Sequence, residues 1–195
     1  MGFQNVQVAF MNAERLGFEA GVFDLALSGF MGWYDCFDFV NLQFTRQDRK
    51  GPEIYRVLRR GGKFVCCTWE AQEDLAWMEE AVLRHYPAIL EDADYLEHRP
   101  IGMAYEKAAG YELILRNAGF QDIEVSARAM DFLSSDEEEW WRQMHEVGWW
   151  KCLDKLEPGT LQKLKEAVFS DLQAFKRLDG IVFKKVVIFT KATKP

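Results

Sequence analysis

Apolar and polar residues along this chain fall into short runs of two kinds. Val6 to Phe10 is apolar with polar interruptions, and FDLALS, Phe23 to Ser28, is a strand-like run closing on Gly29. From Pro52 to Leu58 the residues Ile54, Val57 and Leu58 keep helical spacing. Arg60-Gly61-Gly62 then stops the pattern with the basic and glycine residues that suit a helix C-terminus. FVCCTW, Phe64 to Trp69, follows at once as a nearly continuous apolar run. Such a run suits a strand covered on both faces, as in a parallel sheet.

Helical spacing returns from Gln72 to Tyr86, with Leu75, Met78, Val82 and Tyr86 on one face, and again from Tyr105 to Ala118, where Gly119 ends it. In the strand predicted from Phe120 to Ala129, Ile123 and Val125 alternate with polar residues. Ser135-x-x-Glu138 has the form of a capping box and opens a helix carrying Trp140, Trp141 and Met144. Pro158 opens a longer helix in which Leu161, Leu164, Val168, Leu172 and Phe175 hold the helical period. The last strand is Ile181 to Thr190. Alternating strands and helices, with a strand pair late in the chain, predict an α/β sheet whose last strand is antiparallel. No repeat, low-complexity tract or Pro/Ser-rich linker divides the chain, so its 195 residues predict one domain, with a helical insertion over 130–178.

Charge and composition narrow the functions. With 24 Lys+Arg against 31 Asp+Glu the net charge is -7, which weighs against a dedicated nucleic-acid binder. The basic stretch from Arg46 to Lys63 is explained by side chains snorkelling around a sheet. No apolar run approaches the ~18 residues needed to cross a bilayer. MGFQNVQVAF lacks the basic-then-apolar order of a secretory signal, and Val6 removes the Ser/Thr of a myristoylation site, so a cytoplasmic location is the expectation. Cys36, Cys66, Cys67 and Cys152 form no C-x-x-C pair and share no ligand spacing with His85, His98 and His145. Reduced, packed thiols and no metal site follow. Seven Trp and fifteen Phe imply a large apolar pocket or a bulky core.

Three local patterns together resemble the class I S-adenosylmethionine-dependent methyltransferases, in the small-molecule branch called type 11. NVQVAFMNAERLGFEAGVFDLALSGF, Asn5 to Phe30, is similar to the family's third strand, adenine-contacting turn and fourth strand. EIYRVLRRGGKFVCCTW, Glu53 to Trp69, resembles its helix, Gly-Gly and strand signature. AGFQDIEV, Ala118 to Val125, resembles its Gly-Phe turn before a late strand, followed by a helical insertion and a final strand. The resemblance implies a partial Rossmann-like sheet, S-adenosylmethionine as cofactor and a small, apolar or planar methyl acceptor. The family's Gly-rich turn after its first strand and the acid ending its second have no counterpart here, which amounts to two strand-helix units, on the order of 60 residues. The chain therefore looks like the C-terminal two-thirds of such an enzyme. A shortened chain, a start placed mid-domain and a degenerate gene all stay open.

Carried over residue by residue, the resemblance implies cofactor contacts at Asn12, Ala13, Ser28, Gly29 and Phe30. Asn12 stands where the family has an Asp that accepts from the adenine amine, and an amide oxygen can also accept; a plain turn is the competing role. Ala13 would offer only its backbone N–H. Ser28, Gly29 and Phe30 end a strand, where ligands of open α/β sheets bind, and Gly29 permits close approach. Trp33, Tyr34 and Trp69 follow predicted strand ends and are candidate walls of a substrate pocket, against ordinary packing. Trp140, Trp141, Trp149 and Trp150 crowd the insertion that would cover the substrate. Adjacent tryptophans cannot all face one core, so some are expected to meet a ligand, another subunit or solvent. Asp136 to Glu139 read as a solvated helix start, favoured by the dipole. His145 and Tyr34 are the candidate bases, and no spacing assigns either.

Two functions from different classes compete: a methyltransferase, and a non-catalytic remnant acting as a binding or oligomerisation module. With the two strands between them missing, Val6–Phe10 and the edge of Phe23–Ser28 lack neighbours. Residues 1–20 are expected to be displaced, or the open edge to pair with a second copy in a homodimer. S-adenosylmethionine should bind weakly or not at all. The Trp-rich segment is expected to close a pocket with Trp33 and Trp69.

Overall fold

The structure is a computed structural model describing residues 5–33, 35–98, 107–145 and 148–195. Along the chain run β1 (Phe23–Gly29), β2 (Phe37–Asp38), β3 (Gln43–Phe44), α1 (Lys50–Val57), β4 (Leu58–Gln72), α2 (Glu73–His85), α3 (Ala93–His98), α4 (Ala108–Asn117), β5 (Gln121–Ser134), α5 (Glu137–His145), α6 (Pro158–Leu172), β6 (Lys176–Arg177) and β7 (Gly180–Thr193). The main sheet has five strands in the order β1-β4-β7-β5, with β6 on β7, while β2 and β3 form a separate pair. β1 and β4 are parallel, with Ala26 beside Phe64 and Ser28 beside Cys66. FVCCTW is thus interior to the sheet, as its unbroken apolar run requires.

β7 runs against its neighbours. Gly61, near the start of β4, donates its N–H to the carbonyl of Lys194, just past the end of β7 (2.8 Å), and Lys194 donates back to Gly62 (2.9 Å). At its other end, Gly180 opens β7 against the carbonyl of Ser134, the last residue of β5.

Three local expectations are corrected. Arg60-Gly61-Gly62 does not end a helix. α1 stops at Val57, and β4 starts at once. Phe23 and Leu25 of β1 pair with Leu58 and Lys63 of β4, so two steps on one strand face five on the other. The Arg-Gly-Gly sequence is the resulting bulge, with Gly61 at φ 72° taking the left-handed conformation it needs. The α5 capping box lies one residue later than predicted. Asp136 Oδ1 accepts from the Glu139 N–H (2.8 Å), and the Glu139 carboxylate reaches back to the Ser135 N–H (2.7 Å). Val6–Phe10 forms no strand among the described residues. Val8 there is 95% and Phe10 106% exposed.

The chain divides into two compact units, residues 1–68, 106–127 and 188–195 in the first and 69–105 and 128–187 in the second. The helical insertion drawn over 130–178 falls in the second unit, which also takes in α2 and α3. The first unit buries Trp33, Phe37, Phe39, Leu58, Phe64, Tyr111 and Phe120 together. The second packs α2, α5 and α6 around Trp140, Leu172 and Phe183. Its Trp77 meets the rings of Trp140, Phe175 and Phe183 at 5.2–5.7 Å. Much of the unusual aromatic content is therefore core. The four cysteines are free thiols. No helix among the described residues is long and apolar enough to cross a membrane.

Candidate functional site

In the first unit, the carboxyl end of β1 lies beside the middle of β4, which continues five residues past the Gly29–Cys67 pair to Gln72. Ser28 pairs with Cys66 and Gly29 with Cys67, and the Phe30 N–H donates to the Cys67 carbonyl at 2.8 Å. That bond turns the chain away from β4, and Phe30 takes a positive φ of 56°. A bulky residue gains nothing locally from this conformation, which is one of the places where folds store strain near ligands. Phe30 is half exposed, and a Cβ built on Gly29 would meet nothing within 4 Å. The backbone at Gly29 therefore faces open space.

Asn12 and Ala13 lie in a turn of the same unit. The Asn12 side-chain oxygen accepts from the Glu14 N–H at 2.9 Å, and its carbonyl accepts from the Arg15 N–H at 2.9 Å. Asn12 is thus a turn-former, with its second amide lone pair facing outward from an exposed position. The turn is pinned to α1. Glu53 accepts from the Leu16 N–H (2.8 Å), while Arg56 donates to the carbonyls of Leu16 and Phe18 (3.0 and 2.8 Å). The Arg56 guanidinium, then the Leu16 N–H, hold the Glu53 carboxyl down at about 2. The i,i+3 Glu-Arg spacing was visible in the sequence, but its grip on residues 16–18 was not.

Trp33 is wholly buried, and its indole N–H donates to Asp48 Oδ1 at 3.0 Å. Asp48 was missed in the sequence. Its carboxylate also takes the Lys50 and Gly51 N–H groups (2.9 and 3.2 Å), capping α1 and tying the loop to the core. Beside it, burial first and then the Asp48 and Asp35 charges push the Cys36 thiol up to about 11, so it is no nucleophile. Burial would raise Asp35 too, yet Lys50 at 2.6 Å and Arg46 hold it below the usual carboxylate value. Tyr34 lies outside the described residues.

Trp69 belongs to the second unit, near the carboxyl end of β4, and is half buried. Trp140 and Trp141 share that unit, and both are buried. On neighbouring faces of α5 the first stacks on Phe183 (6.0 Å) and the second meets Phe169 of α6 edge-on (6.1 Å). The side chains of Trp149 and Trp150 lie outside the described residues. His145 pairs with Asp154 at 3.4 Å and packs by Trp141. A hollow of about 420 Å³ lined by Arg116, Phe120, Gln121 and Asp122 opens at the amino end of β5, away from the strand ends where α/β ligands bind. Among the described residues no group of His, Cys, Asp and Glu could hold a metal ion.

No family model matches the sequence, and no curated protein matches it. Solved structures do. A Bacillus halodurans C-125 protein assigned to the methyltransferases, in a crystal structure at 1.95 Å, superposes with a TM-score of 0.50 at 21% identity, over 100% of this chain and 74% of that one. Phosphoethanolamine N-methyltransferase 2 of Haemonchus contortus, in complex with phosphomonomethylethanolamine and S-adenosylhomocysteine, gives 0.41 at 20% identity over 94% of this chain and 36% of its own. An S-adenosylmethionine-dependent methyltransferase of Thermotoga maritima gives 0.39 at 16%, over 95% and 62%. The fold is that of the class I S-adenosylmethionine-dependent methyltransferases. At such identities the likeness defines architecture and leaves activity to be argued from this chain.

Proposed function

We propose that this chain is a cytoplasmic class I methyltransferase, or the acceptor-side part of one, acting on a small acceptor with an apolar or planar body. The carrying observation is the end of β1. A backbone open to space at Gly29 and a half-exposed Phe30 at positive φ, beside a parallel β4 that runs on past them to Gln72, make a ligand-facing corner. S-Adenosylmethionine fits this corner in part. Ser28, Gly29 and Phe30 would hold it along the strand end, with Asn12 and the Ala13 N–H on its adenine. Its place for a diphosphate-like turn is lacking, since no two glycines here are separated by a single residue. Binding is therefore weak.

When bound, the cofactor supplies an activated methyl group, and the transfer is an in-line displacement that needs alignment and dryness more than acid or base. Within the first unit Phe30 is the apolar contact, while Trp33 is part of the buried core. Within the second unit Trp69 is the aromatic wall on the acceptor side, while Trp140 and Trp141 belong to that unit's core. Titration calorimetry with S-adenosylmethionine tests this. Binding weaker than micromolar, abolished by Gly29→Val in a protein that still folds, is expected. The new side chain enters space that no protein atom fills, so a folded Gly29→Val chain with unchanged binding would refute the site.

A second reading is a non-catalytic module that dimerises. β1 lies at an end of the sheet order, and Leu25 and Leu27 on it are exposed, as are Val8 and Phe10 nearby in sequence. An open apolar edge and an unpaired segment on one chain are complementary between two copies. Sedimentation equilibrium decides it: a monomer at all micromolar concentrations excludes the homodimer.

A further inference from the structure

The second unit carries an ion pair that no step above uses. Lys185 of β7 places its ammonium 2.6 Å from Asp74 Oδ2, and both side chains are nearly buried, at 12% and 4% exposure. The same ammonium stands over the Trp69 ring at 5.4 Å and over the Phe132 ring at 5.0 Å from the centroids. The two rings meet edge to face, 5.6 Å apart. A cation held by two ring faces and one carboxylate has the surroundings that recognise alkylated ammonium groups.

Local structure fixes the carboxylate side of this cage. Asp74 sits in the first turn of α2, where its other oxygen accepts the Leu75 N–H at 3.0 Å. Its neighbour Glu73 accepts the Lys184 N–H at 2.8 Å, which clamps the start of α2 to β7. Trp69 and Phe132 lie near the carboxyl ends of β4 and β5, and Lys185 lies in the amino-terminal half of the antiparallel β7. All four thus stand toward the end of the strands where α/β sheets take ligands. Phe132 is 38% exposed, so the outer wall of the cage borders solvent.

Structure alone does not ask for these residues. An apolar pair of similar volume is often as stabilising as a buried ion pair, because desolvation offsets the attraction. The lysine also differs from the carboxylate: it reaches the cage on a flexible four-carbon stem, whereas Asp74 is short and held by the Leu75 N–H at the start of α2.

We propose that Trp69, Phe132 and Asp74 form a binding site for a substituted ammonium group, and that Lys185 is a resident plug that a ligand must displace. The inference deepens the methyltransferase reading by giving the acceptor a cationic nitrogen beside its apolar body. Occupancy by Lys185 lowers apparent affinity by the fraction of time the cage is filled, and sets a threshold against small inorganic cations.

The probe is tetramethylammonium chloride, titrated against Trp69 emission, with sodium chloride at equal ionic strength as control and Trp69→Phe to identify the signal. Lys185→Ala is expected to bind at least tenfold more tightly than the wild type, and Lys185→Ala with Asp74→Asn to lose that gain. A folded Lys185→Ala chain without saturable quenching, or binding indifferent to Asp74→Asn, overturns the proposal. Should Lys185→Ala fail to fold, the wild-type chain decides. Tetramethylammonium must then shift the Trp69 indole N–H resonance, and an unmoved resonance overturns the proposal equally. No cofactor enters these measurements, so their failure is distinct from failure to bind S-adenosylmethionine.

Discussion

Gly110→Ala offers a test in which two well-known effects oppose each other. Gly110 is the third residue of α4, and replacing a helical glycine by alanine ordinarily stabilises by roughly 0.5–1 kcal/mol. Here the new methyl would lie 2.5 and 2.6 Å from Cδ1 and Cε1 of Phe39 and 3.0 Å from Cε1 of Phe37. Ordinary carbon contacts need about 3.5–4 Å, so the Phe39 ring must retreat by about 1 Å. It has nowhere to go. Phe39 is buried with Phe37 at 4.9 Å on one side and Tyr111 stacked at 6.0 Å on another. Overpacking of this kind costs about 1–3 kcal/mol, which outweighs the helical gain and leaves the variant about 1–2 kcal/mol less stable. With a urea m-value of about 2 kcal/mol/M, the unfolding midpoint should fall by about 0.5–1 M at unchanged slope. Far-ultraviolet circular dichroism reads the midpoint. Phe39→Leu makes room, so adding Gly110→Ala to it should cost less than Gly110→Ala alone, a coupling of about 1 kcal/mol. A Gly110→Ala chain with a raised midpoint would falsify the packing of α4 against β2 and the residues that follow it.

Glu53→Gln should release residues 16–18, seen as faster amide exchange at Leu16, at a cost of about 1 kcal/mol for a partly exposed pair. The Glu53 carboxyl lies near 2 when folded against 4.5 ordinarily, so its stabilisation is present above pH 4.5 and is lost as pH falls toward 2. The wild-type acid transition should contain this loss, and the Gln variant should lack it; coincident acid curves would show the clamp contributes nothing. Gly180→Ala should fail to give a stable chain, since φ 135° excludes a side chain and the added carbon would strike the Ser134 carbonyl. The conformation alone costs of order 1–3 kcal/mol, and a variant melting with the wild type would contradict the close approach of β7 to the end of β5.

Where local signals and burial agreed, the sequence was readable. FVCCTW could only be an interior strand, and Pro158 with Leu164, Val168 and Leu172 could only be an amphipathic helix. The misses share a cause, which is that one residue type serves two geometries. Arg-Gly-Gly satisfies a helix stop and a strand bulge alike, and only the pairing of Lys194 with Gly61 and Gly62 decides between them. Ser135 and Asp136 are both good caps, and the carboxylate one residue later takes the position. That Trp140 and Trp141 are both buried was not legible, because a sequence does not reveal that α6 offers Phe169 to the second. At the candidate site, the glycine ending a strand was legible as an open place. Lys185 with Asp74 was not, being 111 residues apart and joined only by the antiparallel return of β7.

The first unit is completed by residues 188–195, far along the chain from its other parts. Lys194 spans the bulge with two backbone bonds, and its ammonium donates to the carbonyls of Tyr55 and Leu58 at 2.8 and 2.7 Å, over 130 residues upstream. During synthesis, α1 and the amino half of β4 must wait for residues 188–195 before their neighbour on that side exists. At ~5–20 residues per second that delay is on the order of ten seconds or more, with an apolar strand uncovered throughout. The chain is thus built so that an apolar strand made in its first half is covered on that side only by residues beyond 180. In a cell it should lean on holding chaperones during translation, and loss of residues 188–195 should be read by quality control as failure of the whole first unit.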